Sequence, residues 1–242
     1  NNIQPRVSAT WAPFSSRYSV HAGVGVYTQQ HLLYYLNRAQ LEGVDGASLI
    51  TLTPASTLMP VYPNAVTSAV LSQVPRDRYV VSDGFRNPYS VQAAAGISRT
   101  VHGFDVTADY VHLSGYDLMS LVDANAPASV VEPAVRTVHE ADETRPLVPL
   151  PGGFRKVITL GNQGRSWYRA MQVKVDRSVG RLTLVSSYTL ARARDRANYT
   201  LPEDSRNLAA EEGRSDNDVR HNVTTAFSWE MPLAQWQKMI DI

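Results

Sequence analysis

Six histidines have the widest chemical repertoire in this chain: His21, His31, His102, His112, His139 and His221. A metal site on a helix needs two such residues about one turn apart with a carboxylate beside them, and none of the six has that spacing. His21 alternates with small polar residues and reads as a solvated side chain, while His102 precedes Gly103 and reads as a turn residue. Glu211, Glu212, Asp216 and Asp218 offer the oxygen donors that hard cations prefer. They lack the ligand order of a calcium loop, and Asp218 is better read as the ion-pair partner of Arg214 or Arg220. No Gly-x-Ser-x-Gly elbow presents a serine nucleophile, and Gly23-Val24-Gly25 lies within a run that reads as a strand, not at a strand-to-helix turn that would cradle phosphate. The absence of cysteine removes disulfides, thiolate nucleophiles and iron–sulfur sites together. The sequence therefore nominates no catalytic, cofactor-binding or metal-ligating residue. It leaves the ligand-contacting residues unassigned, and an enzyme is not expected.

The elements that would carry these residues are more informative. The chain has 242 residues, is 43% hydrophobic and 19% charged, and carries a formal net charge of +1. That length supports a sizeable core, and the balanced charge gives no electrostatic case for a nucleic-acid partner. Mean hydropathy is -0.24, and no run of about 20 apolar residues exists to form a membrane-crossing helix.

Period-two alternation dominates instead, the mark of strands with one apolar and one polar face. Tyr18, Val20, Ala22, Val24 and Val26 alternate with Ser19, His21, Gly23, Gly25 and Tyr27. Tyr89 to Ile97, Phe104 to Tyr110, Leu182 to Leu190 and Val223 to Met231 repeat the pattern. Ile3 to Trp11 and Trp167 to Val175 follow it less cleanly, which makes seven candidate strands in an all-β chain. Several strands approach the roughly 9–11 residues that cross a bilayer at a tilt. The apolar face is rich in Ala and Val, whereas the other is Ser, Thr, Gln, Asn, Asp and Gly, which suits a barrel with a wet interior and an oily exterior.

The connections alternate too. Pro13-Phe14-Ser15-Ser16-Arg17, His102-Gly103 and Val179-Gly180 read as tight turns. Between them lie long segments at about 29–88, 119–164 and 195–219. This is the rhythm of an antiparallel meander with short periplasmic turns and long extracellular loops. Within the first long segment, Gln30 to Gln40 and Ala65 to Val74 read as short helices.

Particular motifs carry a resemblance to a known family. They are Asn87-Pro88-Tyr89-Ser90-Val91-Gln92 followed by Val106 to Val111, Pro5-Arg6-Val7 through Pro13 with Gly23 to Tyr27, and Ser166-Trp167-Tyr168-Arg169-Ala170-Met171-Gln172-Val173. Tyr188-Thr189-Leu190-Ala191, then Arg206-Asn207-Leu208 and Asp216-Asn217-Asp218-Val219-Arg220-His221, complete the set. In order and spacing these resemble the barrel strands of TonB-dependent outer-membrane receptors, specifically the Oar-like group whose barrels follow a carboxypeptidase-regulatory-like domain and a plug. Trp167 stands where that group usually has Asn, and nothing here resembles the plug or the energy-coupling box.

The resemblance implies an outer-membrane location and uptake of a scarce ligand, a siderophore, glycan or peptide, captured by the extracellular loops without a cofactor. It also implies a periplasmic TonB-type partner that acts through a plug not found in this chain. Such barrels have about 22 strands, so residues 1–242 are expected to be a partial barrel. On this reading Gln92, Asp105, Asp109 and Thr183 face the lumen while Val24 and Leu184 face lipid. Tyr18, Tyr27, Tyr89, Tyr110, Trp167, Tyr168, Tyr188 and Trp229 would supply an interfacial girdle. Arg192-Ala193-Arg194-Asp195-Arg196 has two readings, contact with acidic lipid headgroups or a solvated loop base, and the second is preferred. The alternative for the whole chain is a soluble secreted or periplasmic β-sandwich binding module, in which Val24 would lie in a packed core between two sheets.

Overall fold

Alternation along the chain becomes strands that pair side by side in one sheet. The computed structural model describes residues 3–13, 18–30, 33–43, 50, 59–128, 138–150, 152–196 and 200–231. The elements are β1 (Arg6–Trp11), β2 (Tyr18–Thr28), α1 (Leu33–Leu41), α2 (Ser68–Leu71), β3 (Arg76–Val81), β4 (Tyr89–Val101), β5 (Phe104–Asp123), α3 (Val138–Glu143), β6 (Phe154–Val179), β7 (Leu182–Asp195), β8 (Gly213–Arg214) and β9 (His221–Trp229). Among the described residues all nine strands belong to one sheet, with the path β1-β2-β4-β5-β6-β7. β8 and β9 follow one another along the free edge of β7, opposite Arg194–Asp195 and Leu182–Leu190 respectively.

The wall pairs are antiparallel, and tight turns join β4 to β5 and β6 to β7 while long segments join β2 to β4 and β5 to β6. His102 (φ 51°) and Gly103 (φ 78°) both adopt the left-handed conformation that a two-residue type I′ turn demands, and glycine takes the second place without steric cost. Gly180 (φ 58°) makes the corresponding turn between β6 and β7. The β1–β2 connection falls largely on Phe14–Arg17, outside the described residues, but Trp11 opposite Val20 fixes the hairpin's register.

Two strands run much further than alternation suggests. β5 has 20 residues and β6 has 26. At about 3.3 Å per residue β6 extends roughly 85 Å, well beyond a hydrocarbon layer of about 30 Å. The segment 119–164 is therefore not a loop throughout. β5 continues to Asp123, β6 begins at Phe154, and the two stay paired to Asp123 opposite Ile158. A register shift between Gly115 and Ser120, where Asp117 takes φ 53°, breaks the alternation at the point where the strands leave the wall.

Beyond that bulge, β3 joins β6 in parallel, with Arg78 opposite Val157 and Val81 opposite Leu160. The long first segment thus contributes a strand as well as helices, and the meander acquires one parallel pair. α1 forms close to the predicted helix, while the region from Ala65 to Val74 yields only the four residues of α2. The hydrophobic core sits here and not in the wall: Tyr79, Met119, Leu121, Ile158 and Leu160 are buried together, with Tyr35 and Ala39 of α1 packed against them.

Candidate functional site

Residues opposite each other in adjacent antiparallel strands share a face, so the register sorts every wall side chain. Val20, Ile97, Ala108, Val173, Tyr188 and Val223 form one row. Ala22, Ala95, Tyr110, Met171 and Leu190 form the next. This apolar face is open: Val24 is 46% exposed and Met171 56%. The sandwich reading required Val24 to lie between two sheets, and the single sheet excludes that arrangement.

The opposite face is polar and more sheltered, with Ala170 only 2% exposed. One of its rows reads Thr10, His21, Gly96, Asp109, Gln172, Thr189 and Asn222. His21 Nε2 and Asp109 Oδ1 meet at 2.7 Å although their strands are separated by β4. They can meet because the intervening residue is Gly96, where an added Cβ would collide with the Asp109 carboxylate and crowd His21. Hydroxyl contacts continue the polar surface: Ser98–Thr107 at 3.0 Å, Thr100 Oγ1 donating to Asp105 Oδ1 at 2.6 Å, and Ser178–Thr183 at 3.1 Å. Gln92, Asp105, Asp109 and Thr183 therefore all lie on this face, away from Val24 and Leu184, as the alternation predicted.

The aromatic residues divide. Tyr18, Tyr89 and Trp229 stand toward strand ends on the apolar face, Trp167 stands on it mid-strand in β6 near the start of the wall portion, and Tyr110 and Tyr188 stand on it further in. Tyr27 and Tyr168 do not join that belt, because the register turns them to the polar face opposite Ser90 and Leu113. The acidic cluster resolves into pairs. Asp218 accepts from the Ala193 backbone N–H at 2.6 Å and from Arg214 Nε at 2.8 Å, with Arg220 at 3.9 Å. That backbone bond, followed by Arg214, holds its carboxyl below the usual carboxylate range and pins the segment before β9 to the end of β7. Glu212 faces Arg194 at 3.3 Å. Among the described residues no three His, Asp or Glu side chains gather to hold a metal ion.

The extensions of β5 and β6 carry a second polar assembly that spacing alone did not bring out. Arg145, with 7% side-chain exposure, contacts Asp123 Oδ2 at 2.9 Å and Asp142 Oδ1 at 2.8 Å, and Arg155 reaches Asp142 Oδ2 at 2.9 Å. Asp123 Oδ1 also accepts from the N–H groups of Asn125 and Val157 at 3.0 Å each. With the partly exposed Arg155 included, the charges cancel two against two, the condition under which burying the other three is tolerated. Asp142, in α3, and Arg145, just beyond it, stand three residues apart and form the one local step in this network. Asn162 ties the same region to the approach to β4, donating to Arg86 O and Asp117 O at 2.7 Å each. On β3, burial raises the Tyr79 hydroxyl above its ordinary range, although the Arg38 guanidinium 4.4 Å over its ring pulls the other way.

Known proteins share this architecture. A family model described as "Outer membrane beta barrel domain" matches residues 1–241. The chain is similar in fold to the FrpB iron transporter of Neisseria meningitidis (F3-3 variant), at 12% identity and a TM-score of 0.47 over 96% of this chain and 25% of that one. It is similar also to the siderophore receptor PirA of Pseudomonas aeruginosa, at 14% identity and a TM-score of 0.42 over 79% and 28%. For the outer membrane transporter YddB of Escherichia coli the values are 12%, 0.47, 81% and 20%. The chain spans about a quarter of the length of these solved structures. No curated protein matches it by sequence.

Proposed function

The chain belongs to the outer membrane beta barrel domain family, and from that premise we propose that it forms part of the wall and outer vestibule of a TonB-dependent outer-membrane receptor. One observation carries the reading. A single sheet has one apolar and one polar face, both described tight turns lie at one end, and the long segments lie at the other. In a bilayer that pattern orients itself: tight turns in the periplasm, long segments outside, polar face toward the lumen.

The wall would shield a polar passage lined by Gln92, Asp105, Asp109 and Thr183, and the β3–β5–β6 platform would stand above the membrane as the ligand-capturing vestibule. The role is transport, not catalysis. The motif order described above supports the Oar-like group. The remaining strands, the plug and the contact with a periplasmic TonB-type protein would come from the rest of the receptor.

The test uses the full-length protein that contains this chain, in cells. Short epitope insertions at Asn64 and Glu203 should be labelled by antibody on intact cells, and insertions at Gly103 and Gly180 only after the outer membrane is permeabilised. Uptake of the cognate ligand should stop when the inner-membrane energy-coupling protein is deleted. Labelling of Gly103 on intact cells would overturn the orientation, and uptake that persists without energy coupling would overturn the receptor assignment.

A further inference from the structure

The basic run after Leu190 is part of the wall, not a solvated loop base. β7 continues through Asp195, and its alternation places Arg192 and Arg194 on the apolar face while Asp195 points to the other side. The register then assembles a patch across three strands. His112, Arg169 and Arg192 stand directly opposite one another on β5, β6 and β7, and Ser114, Trp167 and Arg194 form the next row toward the long segments. Rows on one face are about 7 Å apart and neighbouring strands about 4.8 Å apart, so three guanidinium stems rise from one small area. Trp167, Arg169, Arg192, Arg194 and Glu212 line a shared surface pocket there.

We infer that this patch binds the phosphate of a phosphorylated lipid headgroup in the outer leaflet. The inference rests on the membrane orientation proposed above. Three observations support it. The patch lies at the loop-side border of the apolar face, two residues (one row on that face) beyond Met171 and Leu190, where headgroups would meet the wall. Its charges are incompletely matched: Glu212 accompanies Arg194 at 3.3 Å, while Arg169 and Arg192 are exposed and meet no carboxylate among the described residues. Arg169 and Arg192 are also a like-charged pair placed directly across two strands, an arrangement that costs stability unless an anion lies between them. A phosphate monoester carries a charge of about −1.5 to −2, which complements the two unmatched guanidiniums, and the guanidinium fork fits phosphate oxygens two at a time. The interfacial indole of Trp167 sits at the depth where such rings are favoured. The patch is on the face away from the lumen, so its ligand is not the transported one.

The experiment purifies the full-length receptor from outer membranes in mild detergent and measures bound lipid by native mass spectrometry. Its two probes are a phosphorylated glycolipid and the same glycolipid treated with phosphatase. The wild type should retain the phosphorylated form, R169A/R192A should retain about tenfold less, and R169K/R192K should retain an intermediate amount, since lysine keeps the charge but not the fork. Arg99→Ala, on the same face near the tight turns, should change nothing. Heat-modifiable migration of each variant checks assembly separately, so loss of lipid from an assembled barrel isolates the patch. Equal retention by R169A/R192A, equal retention of the phosphatase-treated lipid, or displacement by millimolar inorganic phosphate alone would overturn the inference. A receptor that does not fractionate with the outer membrane at all would remove the orientation and this site with it.

Discussion

In the orientation proposed above, strand β6 passes through two different solvents. In its first half Leu160 has 0% exposure and lies among Tyr79, Met119, Leu121 and Ile158, while in its second half Met171 is 56% exposed on an open face. The platform at 154–164 builds a water-excluding core of its own because it must fold in water. Among the described residues the wall at 166–179 builds none on its apolar side, where in the proposed orientation hydrocarbon would take the place of a core. Charges follow the same division. The platform sets Arg145 and Arg155 against Asp123 and Asp142 in a charge-balanced network, whereas the wall keeps its charges on the polar face or at the margins of the apolar one. One strand thus holds two regions whose stability has different origins, and each substitution below separates them.

The largest effect is expected at Arg145. Replacing it by Ala leaves Asp123 and Asp142 buried with one cationic partner fewer, a loss of about 3–5 kcal/mol for a buried pair. The platform should lose protection from proteolysis around Asp123–Arg155 while the barrel still assembles and migrates as a heat-modifiable species. If backbone hydrogen exchange accelerated equally in 154–164 and 166–179, the two regions would be one cooperative unit and the distinction would fail.

The reverse experiment attacks the wall alone. Val24→Arg or Leu184→Arg adds a charge to the lipid-facing side of the wall, at a cost that grows from about 1 kcal/mol near the interfaces towards about 2–4 kcal/mol deeper in the bilayer. Thr183→Asp, one residue away on the polar face, carries a charge into water. Membrane assembly should fail for the two arginine variants and persist for Thr183→Asp. Equal tolerance of all three would break the assignment of faces.

This asymmetry also explains what could be read from the sequence. A bilayer imposes alternation on each wall strand by itself, so Val20 to Val26 or Leu182 to Leu190 declares its faces without knowledge of its neighbours. The platform has no such local signature. β3 finds its partner about 80 residues away in a parallel pair, Gly161 and Gly164 resemble loop residues, and the bulge at Asp117 interrupts the period just where β5 changes environment. Arg192 and Arg194 were legible in principle, since counting in twos from Leu190 puts them on the apolar face. Their charge made a loop the more natural reading. The same count assigns Tyr27 and Tyr168 to the polar face and removes them from the interfacial belt. The Arg145 network draws on residues before and after a long connection, and only the Asp142–Arg145 step is local.

A finer test lies inside the wall. Gly96→Ala would drive a Cβ into the space shared by His21 and Asp109 and part their 2.7 Å contact. The loss should be about 1 kcal/mol, the usual net worth of a hydrogen bond. It should appear as a modestly lower unfolding temperature of the refolded barrel, with the platform's proteolysis pattern unchanged. Gly103→Ala, which meets no neighbouring atom but sits at φ 78°, serves as the comparison because its cost is backbone strain alone. A Gly96→Ala barrel as stable as the wild type would show that the row through His21 and Asp109 contributes nothing to wall cohesion.

The smallest effects come from pH, and they divide along the same line. The Tyr79 hydroxyl is raised by burial, so the core's contribution is complete below the ordinary tyrosine value of about 10 and is lost as pH rises through the higher folded value. Asp218 has the opposite sign. Its carboxyl is lowered, chiefly by the Ala193 N–H, so its hold on the segment before β9 is complete above the ordinary aspartate value of about 3.9 and is lost only as pH falls through the lower folded value. Hydrogen exchange followed from neutral pH in both directions should therefore open residues 76–81 and 154–160 first on the alkaline side, and the contact between 193 and 218 first on the acid side. Tyr79→Phe should abolish the alkaline opening and leave the acid one in place, because phenylalanine keeps the packed ring and has no proton to lose. If the alkaline opening survived in Tyr79→Phe, the platform's dependence on pH would have to arise from another group.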